Sequence, residues 1–381
     1  MAIKLKRPWM GIAIPCFLIA FIGYNAHYFI LTNFLSLRKQ IIFEAFISMI
    51  WLSYYLAIMT NPGKPINYHP NETSNLKFCK KCESWKPERS HHCKTCKQCV
   101  LMMDHHCPWT MNCVGYLNYP HFLRFLVWVI ITTAFLFIQL CSRIKFIWDH
   151  KDFRGIRQTI TTKSELIFLT ILTPMNAFVL LTIFVLFVRC IRNQIFNGMT
   201  QIENWELERL ESTYYRRNSK LLETLINEAY IIYPSEKTSE HEEEANELLE
   251  KKSKRRLRFM TIVNFPYDNG VIQNFSTVLG SPLLWLWPWS NPGKSGTSFE
   301  HNEFAIYEKN SSLQDILLSL PWPPDGGRQS SDGTNQTVET LQEDGEMVIK
   351  NHEGLTQKRA KWRNEWGEEL QDFGVDPEEE D

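Results

Sequence analysis

Four long apolar runs constrain the fold of this 381-residue chain more than any other feature. They cover residues 8–37, 41–59, 125–142 and 166–188, and the only Asp, Glu, Lys or Arg within them is Glu44. A helix needs about 20 apolar residues to cross a bilayer. Core helices of a soluble protein explain four such runs poorly. The first run is also too long for a cleavable signal peptide and lacks a small-x-small cleavage site.

The number of runs also predicts the orientation of the chain. Four crossings place both termini and the loop between the second and third runs on one side of the membrane. That loop carries clustered thiols, which persist in a reducing compartment, so we expect it and both termini to be cytosolic. Basic residues flank the first run and fill the loop, but they also occur between residues 143 and 163 on the opposite side. The net charge of −1 and the lack of a basic stripe argue against a nucleic-acid partner.

A cluster of metal-ligand residues lies in that loop, between residues 79 and 113. It holds seven of the ten cysteines and four of the eleven histidines. Tetrahedral structural zinc takes four Cys or His ligands, often from C-x2-C pairs, and such pairs occur at Cys79/Cys82 and at Cys93/Cys96. Two closed sites need eight ligands, so six cysteines and two histidines would leave one cysteine over. A disulfide framework is the competing interpretation, and the histidines argue against it.

The best candidate for the spare cysteine is Cys107, which directly follows Asp104-His105-His106. An acidic and imidazole-rich neighbourhood can make a thiolate nucleophilic. Spacing alone does not partition the other ligands between two sites. The alternative is that Cys107 is itself a ligand or an inert thiol. No internal repeat is apparent in the chain.

The tetrapeptide Asp104-His105-His106-Cys107, with the Cys/His pattern before it, resembles the DHHC protein S-acyltransferases, or palmitoyltransferases. Three further motifs are similar to family motifs. Asn61-Pro62-Gly63 resembles Asp-Pro-Gly, Thr200-Gln201-Ile202-Glu203 resembles Thr-Thr-x-Glu, and the segment 264–275 resembles a C-terminal aromatic-and-Asn motif. The stretches 362–368 and 372–376 resemble the tail of fungal endoplasmic-reticulum members that act on chitin synthase.

The resemblance implies an all-α membrane protein. Four transmembrane helices would carry a cytosolic, zinc-bound cysteine-rich loop domain between helices 2 and 3. We expect five regions, in chain order: transmembrane helices 1 and 2 in residues 1–60, the cytosolic zinc domain in 61–120, transmembrane helices 3 and 4 in 121–191, a cytosolic membrane-proximal region in 192–290, and a polar, partly disordered tail in 291–381.

The resemblance also implies two structural zinc ions in closed, interleaved Cys3His sites. The first site would use Cys79, Cys82, His92 and Cys99, and the second Cys93, Cys96, His106 and Cys113.

By the same resemblance, Cys107 is the nucleophile, His105 the general base and Asp104 the residue that orients the imidazole. Cys107 would take a long-chain acyl group from palmitoyl-CoA and pass it to a cysteine of a protein substrate, which is two-step covalent catalysis.

Six residues are candidates for contacts with palmitoyl-CoA. Three are aromatic and close to the nucleophile, and three are basic and lie between the zinc ligands: Trp109, Phe122 and Phe125, and Lys86, Arg89 and His91. Helix packing or interface anchoring explains the aromatic residues about equally well, and simple solvation explains the basic ones. The family often has a larger side chain at Thr132, so the resemblance implies room for a longer acyl chain there.

We therefore predict a protein S-acyltransferase of the endoplasmic-reticulum membrane, with the Golgi as the alternative location. Its partners would be the lipid bilayer and membrane-associated proteins with cytosolic cysteines, with chitin synthase as one candidate. The alternative function is a non-catalytic, membrane-tethered zinc module that binds partners. An inert module would have no reason to keep a spare cysteine beside Asp104-His105.

Overall fold

The computed structural model describes residues 9–65, 68, 77–150, 161–216, 219–285, 287–326 and 361–376. Four of its helices are long and apolar enough to cross a membrane. They are α1 (Met10–Phe29), α2 (Leu37–Met59), α3 (Tyr119–Asp149) and α4 (Lys163–Cys190). The prediction of a mostly helical membrane protein with four such helices and a cysteine-rich region between helices 2 and 3 is confirmed.

The ends of these helices differ from the ends of the apolar runs. The helix α3 begins before residue 125 and ends after residue 142, so it includes Arg124 and Arg143. Both arginines are buried, and both guanidinium groups have partners in other segments. Arg143 Nε donates to Glu165 Oε1 at 2.6 Å, and Arg124 Nε donates to the carbonyl of Trp285 at 2.9 Å. An arginine therefore does not end helix α3 when another segment of the chain supplies a partner for its charge.

The membrane helices share one apolar core. The helix α3 packs against both α2 and α4, and α1 packs against α4. Ala26 of α1, Phe43 of α2, Leu140 of α3 and Leu172 of α4 are fully buried members of this core. Most other residues of the four spans are not buried within the protein, as expected of helices that face lipid.

The chain divides into two compact units. The membrane unit contains Ile3–Gly198 and Gly270–Ser298, and the C-terminal unit contains Met199–Asn269 and Phe299–Asp381. The helices of the C-terminal unit are α5 (Gln201–Tyr215), α6 (Leu221–Ile232), α7 (Ser239–Ser253) and α9 (Leu313–Leu318). Its core includes Leu210, Leu222 and Ile316. Thr200 and Glu203 form a reciprocal capping box at the start of α5.

A π turn at Ile191–Phe196 continues α4, and the short helix α8 (Val271–Leu279) packs against it within the membrane unit. A π turn leaves backbone carbonyls without their usual helical donors. Asn274 of α8 donates its side-chain amide to the carbonyl of Ile195 at 3.1 Å, so the buried acceptor is satisfied. This pair fixes the segment that follows α4, close to the cysteine-rich loop.

Candidate active site and metal centres

Three short antiparallel hairpins form the cysteine-rich loop. They pair β1 (Phe78–Cys79) with β2 (Ser84–Trp85), β3 (His91–Cys93) with β4 (Gln98–Val100), and β5 (His105–Cys107) with β6 (Asn112–Val114).

The three hairpins are copies of one another at a spacing of 14 residues. Cys79, Cys93 and Cys107 occupy the same register, opposite Ser84, Gln98 and Asn112 respectively. The turns also repeat, with positive φ at Glu83, Lys97 and Met111. The chain therefore does contain an internal repeat, contrary to the prediction from the sequence.

Two groups of four ligand-type residues lie in this loop, and in each group the ligand atoms are within 4.8 Å of one another. The groups are Cys79, Cys82, His92 and Cys99, and Cys93, Cys96, His106 and Cys113.

The donor atoms of both groups fit zinc. With Zn–S of about 2.3 Å and Zn–N of about 2.05 Å, a tetrahedral angle separates sulfur from nitrogen by about 3.6 Å. The Sγ–Nδ1 distances to His92 are 3.4, 3.3 and 3.8 Å, and those to His106 are 3.7, 3.4 and 3.6 Å. All ten cysteines are free thiols, and all lie in the described ranges, so the structure contains no disulfide framework.

Each group joins two successive hairpins. One hairpin supplies its C-x2-C turn and the next supplies a cross-strand His/Cys pair, which is His92/Cys99 in the first case and His106/Cys113 in the second. The first hairpin has the aromatic pair Phe78 and Trp85 at the corresponding register. No further hairpin follows the third one among the described residues, so its turn at Cys107 meets no His/Cys pair.

Cys107 occupies the register that Cys79 and Cys93 have in the two ligand groups, but it belongs to neither group. Thr110 replaces the second cysteine of the turn, and its hydroxyl donates to the carbonyl of Cys107 at 3.3 Å. The Cys107 side chain is buried, which by itself would raise the pKa of its thiol. Hydrogen bonds to His105 and Thr110, and the charge of His105, outweigh this effect and lower the pKa of Cys107.

His105 and Asp104 form an ion pair next to this thiol. Asp104 Oδ2 lies 2.8 Å from His105 Nδ1, and Asp104 is 1% exposed. Burial alone would lower the pKa of His105, but its hydrogen bonds and charge interactions with Asp104 and Cys107 raise the pKa to about 10. The ring edge of Phe122 packs against the imidazole, with centroids 5.6 Å apart. The arrangement is a Cys-His-Asp constellation of the kind that activates a nucleophile.

The aromatic candidates lie around this constellation. Phe122 is buried against His105, whereas Trp109 and Phe125 are partly buried. Tyr54 of α2 links the last two, because its hydroxyl donates to the carbonyl of Trp109 at 2.6 Å and its ring stacks on Phe125.

The basic candidates have partners within the protein. Lys86 is buried, and Arg89 donates from Nη2 to the carbonyl of Gly198 at 2.7 Å. His91 is partly buried and lies in the second hairpin at the register that His105 occupies in the third.

An apolar cavity lies between the four membrane helices. Its lining includes Ile22 of α1, Ile47 of α2, Thr132 and Leu136 of α3, and Val179 of α4. Thr132 and Leu136 lie ten and fourteen residues along α3 from Phe122, which is roughly 15 and 21 Å at 1.5 Å per residue.

Gln194, a buried residue of the π turn, was not among the residues predicted from the sequence. Its Nε2 donates to Asp104 Oδ1 at 3.0 Å. The available signal was a pair of amide residues, Asn193-Gln194, only a few positions after the apolar run that ends at residue 188. Thr110 was not predicted either, although the 14-residue spacing places it at the position of Cys82 and Cys96.

Comparisons with known proteins agree with this geometry. The family model for DHHC palmitoyltransferase matches residues 72–208. The chain is 55% identical over 382 residues to palmitoyltransferase PFA4 of Saccharomyces cerevisiae, with 99% of each chain covered. It is 54% identical over 380 residues to palmitoyltransferase PFA4 of Candida glabrata, again with 99% of each covered. The corresponding protein of Kluyveromyces lactis is 49% identical over 389 residues, which cover 99% of this chain and 100% of that one.

Proposed function

The chain belongs to the DHHC palmitoyltransferase family and is a protein S-palmitoyltransferase, and on this premise we propose that Cys107 carries the acyl group between the two substrates. The main support is that Cys107 is left out of both ligand groups and lies against the His105–Asp104 pair. The alternative, a non-catalytic zinc module, is not favoured, because such a module needs no activated thiol.

The proposed reaction uses palmitoyl-CoA as the acyl donor and has two balanced steps. His105 holds the proton of Cys107, and the resulting thiolate attacks the acyl carbonyl. The bond between the acyl carbon and the CoA sulfur breaks, a thioester to Cys107 forms, and CoA leaves with the proton from His105. In the second step His105 takes the proton of a substrate cysteine, whose sulfur attacks the new thioester. Cys107 is released as the thiolate, and the proton of the substrate cysteine stays on His105.

Asp104 and Phe122 orient the imidazole in this proposal. Asp104 accepts a hydrogen bond from Nδ1 of His105, which leaves Nε2 of the imidazole for the thiol of Cys107. Phe122 limits rotation of the imidazole ring. Both contacts with His105 are already formed before the acyl donor binds.

The eight grouped Cys and His residues hold, in our proposal, two structural zinc ions. Each zinc would clamp one hairpin to the next and would stabilise a loop that has few apolar side chains of its own. His106 is a ligand of the second group and lies in the same strand as Cys107. Zinc binding at His106 would therefore hold the strand that carries the nucleophile.

The apolar cavity between the four membrane helices is our candidate for the acyl-chain site, with Trp109, Phe122 and Phe125 at its approach. Its lining is almost wholly apolar, as an acyl chain requires, and the small side chain of Thr132 leaves room there. Lys86, Arg89 and His91 remain candidates for the CoA phosphates, because cationic groups bind phosphate through charge-assisted hydrogen bonds.

The finer location and the substrates are also proposals. The reducing environment that zinc thiolates require supports a cytosolic loop and cytosolic termini, with the five regions of residues 1–60, 61–120, 121–191, 192–290 and 291–381 in that topology. We propose the endoplasmic reticulum as the membrane and chitin synthase as a substrate, from the sequence of the tail. Protease protection of tags at both termini would contradict the topology, and chitin synthase labelling that is unchanged when this protein is removed would contradict the proposed substrate.

The deciding experiment incubates the purified protein with labelled palmitoyl-CoA and follows hydroxylamine-labile label on the protein. The wild type should become labelled and should pass the label to an added cysteine-containing protein. Cys107→Ser should keep its metal and its fold, because both ligand groups are intact, yet remain unlabelled. If Cys107→Ser is still labelled, or loses metal, the proposed nucleophile is wrong.

A further inference from the structure

The reaction described above does not use the contact between Asp104 and Gln194. Gln194 Nε2 donates to Asp104 Oδ1 at 3.0 Å, and the two residues are 2% and 1% exposed. The other carboxylate oxygen, Oδ2, lies 2.8 Å from His105 Nδ1. Gln194 therefore binds one oxygen of the carboxylate while the opposite oxygen binds the imidazole.

Two contacts fix the chain just after Gln194. This residue lies in the π turn Ile191–Phe196, where Asn193, Gln194 and Ile195 are buried in succession. Asn274 donates to the carbonyl of Ile195, the next residue, and Arg89 donates to the carbonyl of Gly198, four residues after Gln194. π turns are rare overall, but those that occur are often found at functional sites. Here the turn brings the Gln194 amide to the Asp104 carboxylate, 90 residues away in sequence.

The Gln194 amide is poorly explained as a purely stabilising group. Its Oε1 is buried and has no hydrogen-bond partner among the described residues. A buried polar atom without a partner is destabilising, and an apolar side chain of similar shape would avoid that loss. Only the Nε2 end of the amide makes a hydrogen bond, and its acceptor is the Asp104 carboxylate that binds His105.

We propose that Gln194 is a positioning residue for acyl transfer, which fixes the rotation of the Asp104 carboxylate and thereby the direction of the His105 ring toward Cys107. The second torsion of an aspartate is broad and is not set by the backbone, so a donor at Oδ1 is needed to select one orientation. This inference rests on the roles proposed above for Asp104, His105 and Cys107.

The test compares Gln194→Met, which keeps the length of the side chain and removes the donor, with Asn193→Leu on the same π turn. Acyl-enzyme formation is measured over a range of palmitoyl-CoA concentrations, together with zinc content and melting temperature. We expect Gln194→Met to lower the maximal rate about 10-fold to 100-fold, as for loss of a hydrogen bond to a charged group. The half-saturating concentration of palmitoyl-CoA and the zinc content should not change. Asn193→Leu should keep the wild-type rate.

A double-mutant cycle separates positioning from a general structural role. In an Asp104→Ala background, Gln194→Met should cause no further loss, because its target is gone. An unchanged rate in the single variant, or an equal loss in both backgrounds, would overturn the inference. If Gln194→Met loses zinc, Gln194→Leu replaces it, and metal loss in both variants also counts against positioning. If Asp104→Ala itself acylates like the wild type, the proposed catalytic assignment fails, whatever Gln194 does.

Discussion

Replacing His105 by alanine should separate catalysis from folding in this loop. His105 lowers the pKa of Cys107 against the opposing effect of burial, so its removal raises that pKa toward the ordinary value of 9.0. A thiol with that pKa is only about 1% ionised at pH 7, so loss of thiolate alone can slow acyl-enzyme formation up to about 100-fold. Because the variant ionises at higher pH than the wild type, its deficit should shrink about tenfold per pH unit toward pH 9.

The assay is a quenched time course of labelled acyl-enzyme at saturating palmitoyl-CoA, repeated from pH 6.5 to 9, with zinc measured on the same samples. His91→Ala is the matched control, because His91 has the same register in the second hairpin and also adjoins a ligand histidine. It should keep both zinc ions and its maximal rate, and change at most the half-saturating concentration of palmitoyl-CoA. A His105→Ala deficit that is as large at pH 9 as at pH 7, or that comes with metal loss, would refute the reasoning.

Three further outcomes are expected. His106→Ala should reduce the zinc content from about two ions per chain to one and lower the melting temperature, and retention of both ions would exclude it as a ligand. Arg143→Leu should destabilise the protein by about 3–5 kcal/mol because it leaves a buried carboxylate. Adding Glu165→Leu should recover most of that loss in thermal unfolding, and failure to recover would mean that the ion pair is not the cause. Thr132→Phe should shift acyl-CoA competition toward shorter chains, and an unchanged preference would argue against the cavity as the acyl-chain site.

The number of membrane helices could be predicted from the sequence, whereas their ends could not. Hydropathy detects the apolar middle of each span because water is excluded there. The ends of α3 depend on Arg124 and Arg143, whose partners Trp285 and Glu165 come from other segments. A charged residue looks like a stop signal until its partner is known, and the partner of Arg124 is 161 residues away.

The sequence identified the spare cysteine because counting ligands requires no three-dimensional information. The hairpin repeat remained hidden, since Phe78 and Trp85 replace the His/Cys pair at one end of the series and Thr110 replaces a cysteine at the other. The shared feature is the turn geometry and register, which residue types do not reveal. Gln194 was missed for a different reason, because its role is a contact between two distant segments.

The interleaving of the two ligand groups has a consequence for biosynthesis. As a ribosome extends the chain, the first group is complete once Cys99 has emerged, but the second waits for Cys113. Cys107 lies between the last two ligands of that second group, in the final hairpin to be clamped. With zinc at both groups, a nascent chain therefore has no ordered nucleophile until its last metal ion binds. The supply of zinc during translation would then set how much of the newly made protein becomes competent to react with acyl-CoA.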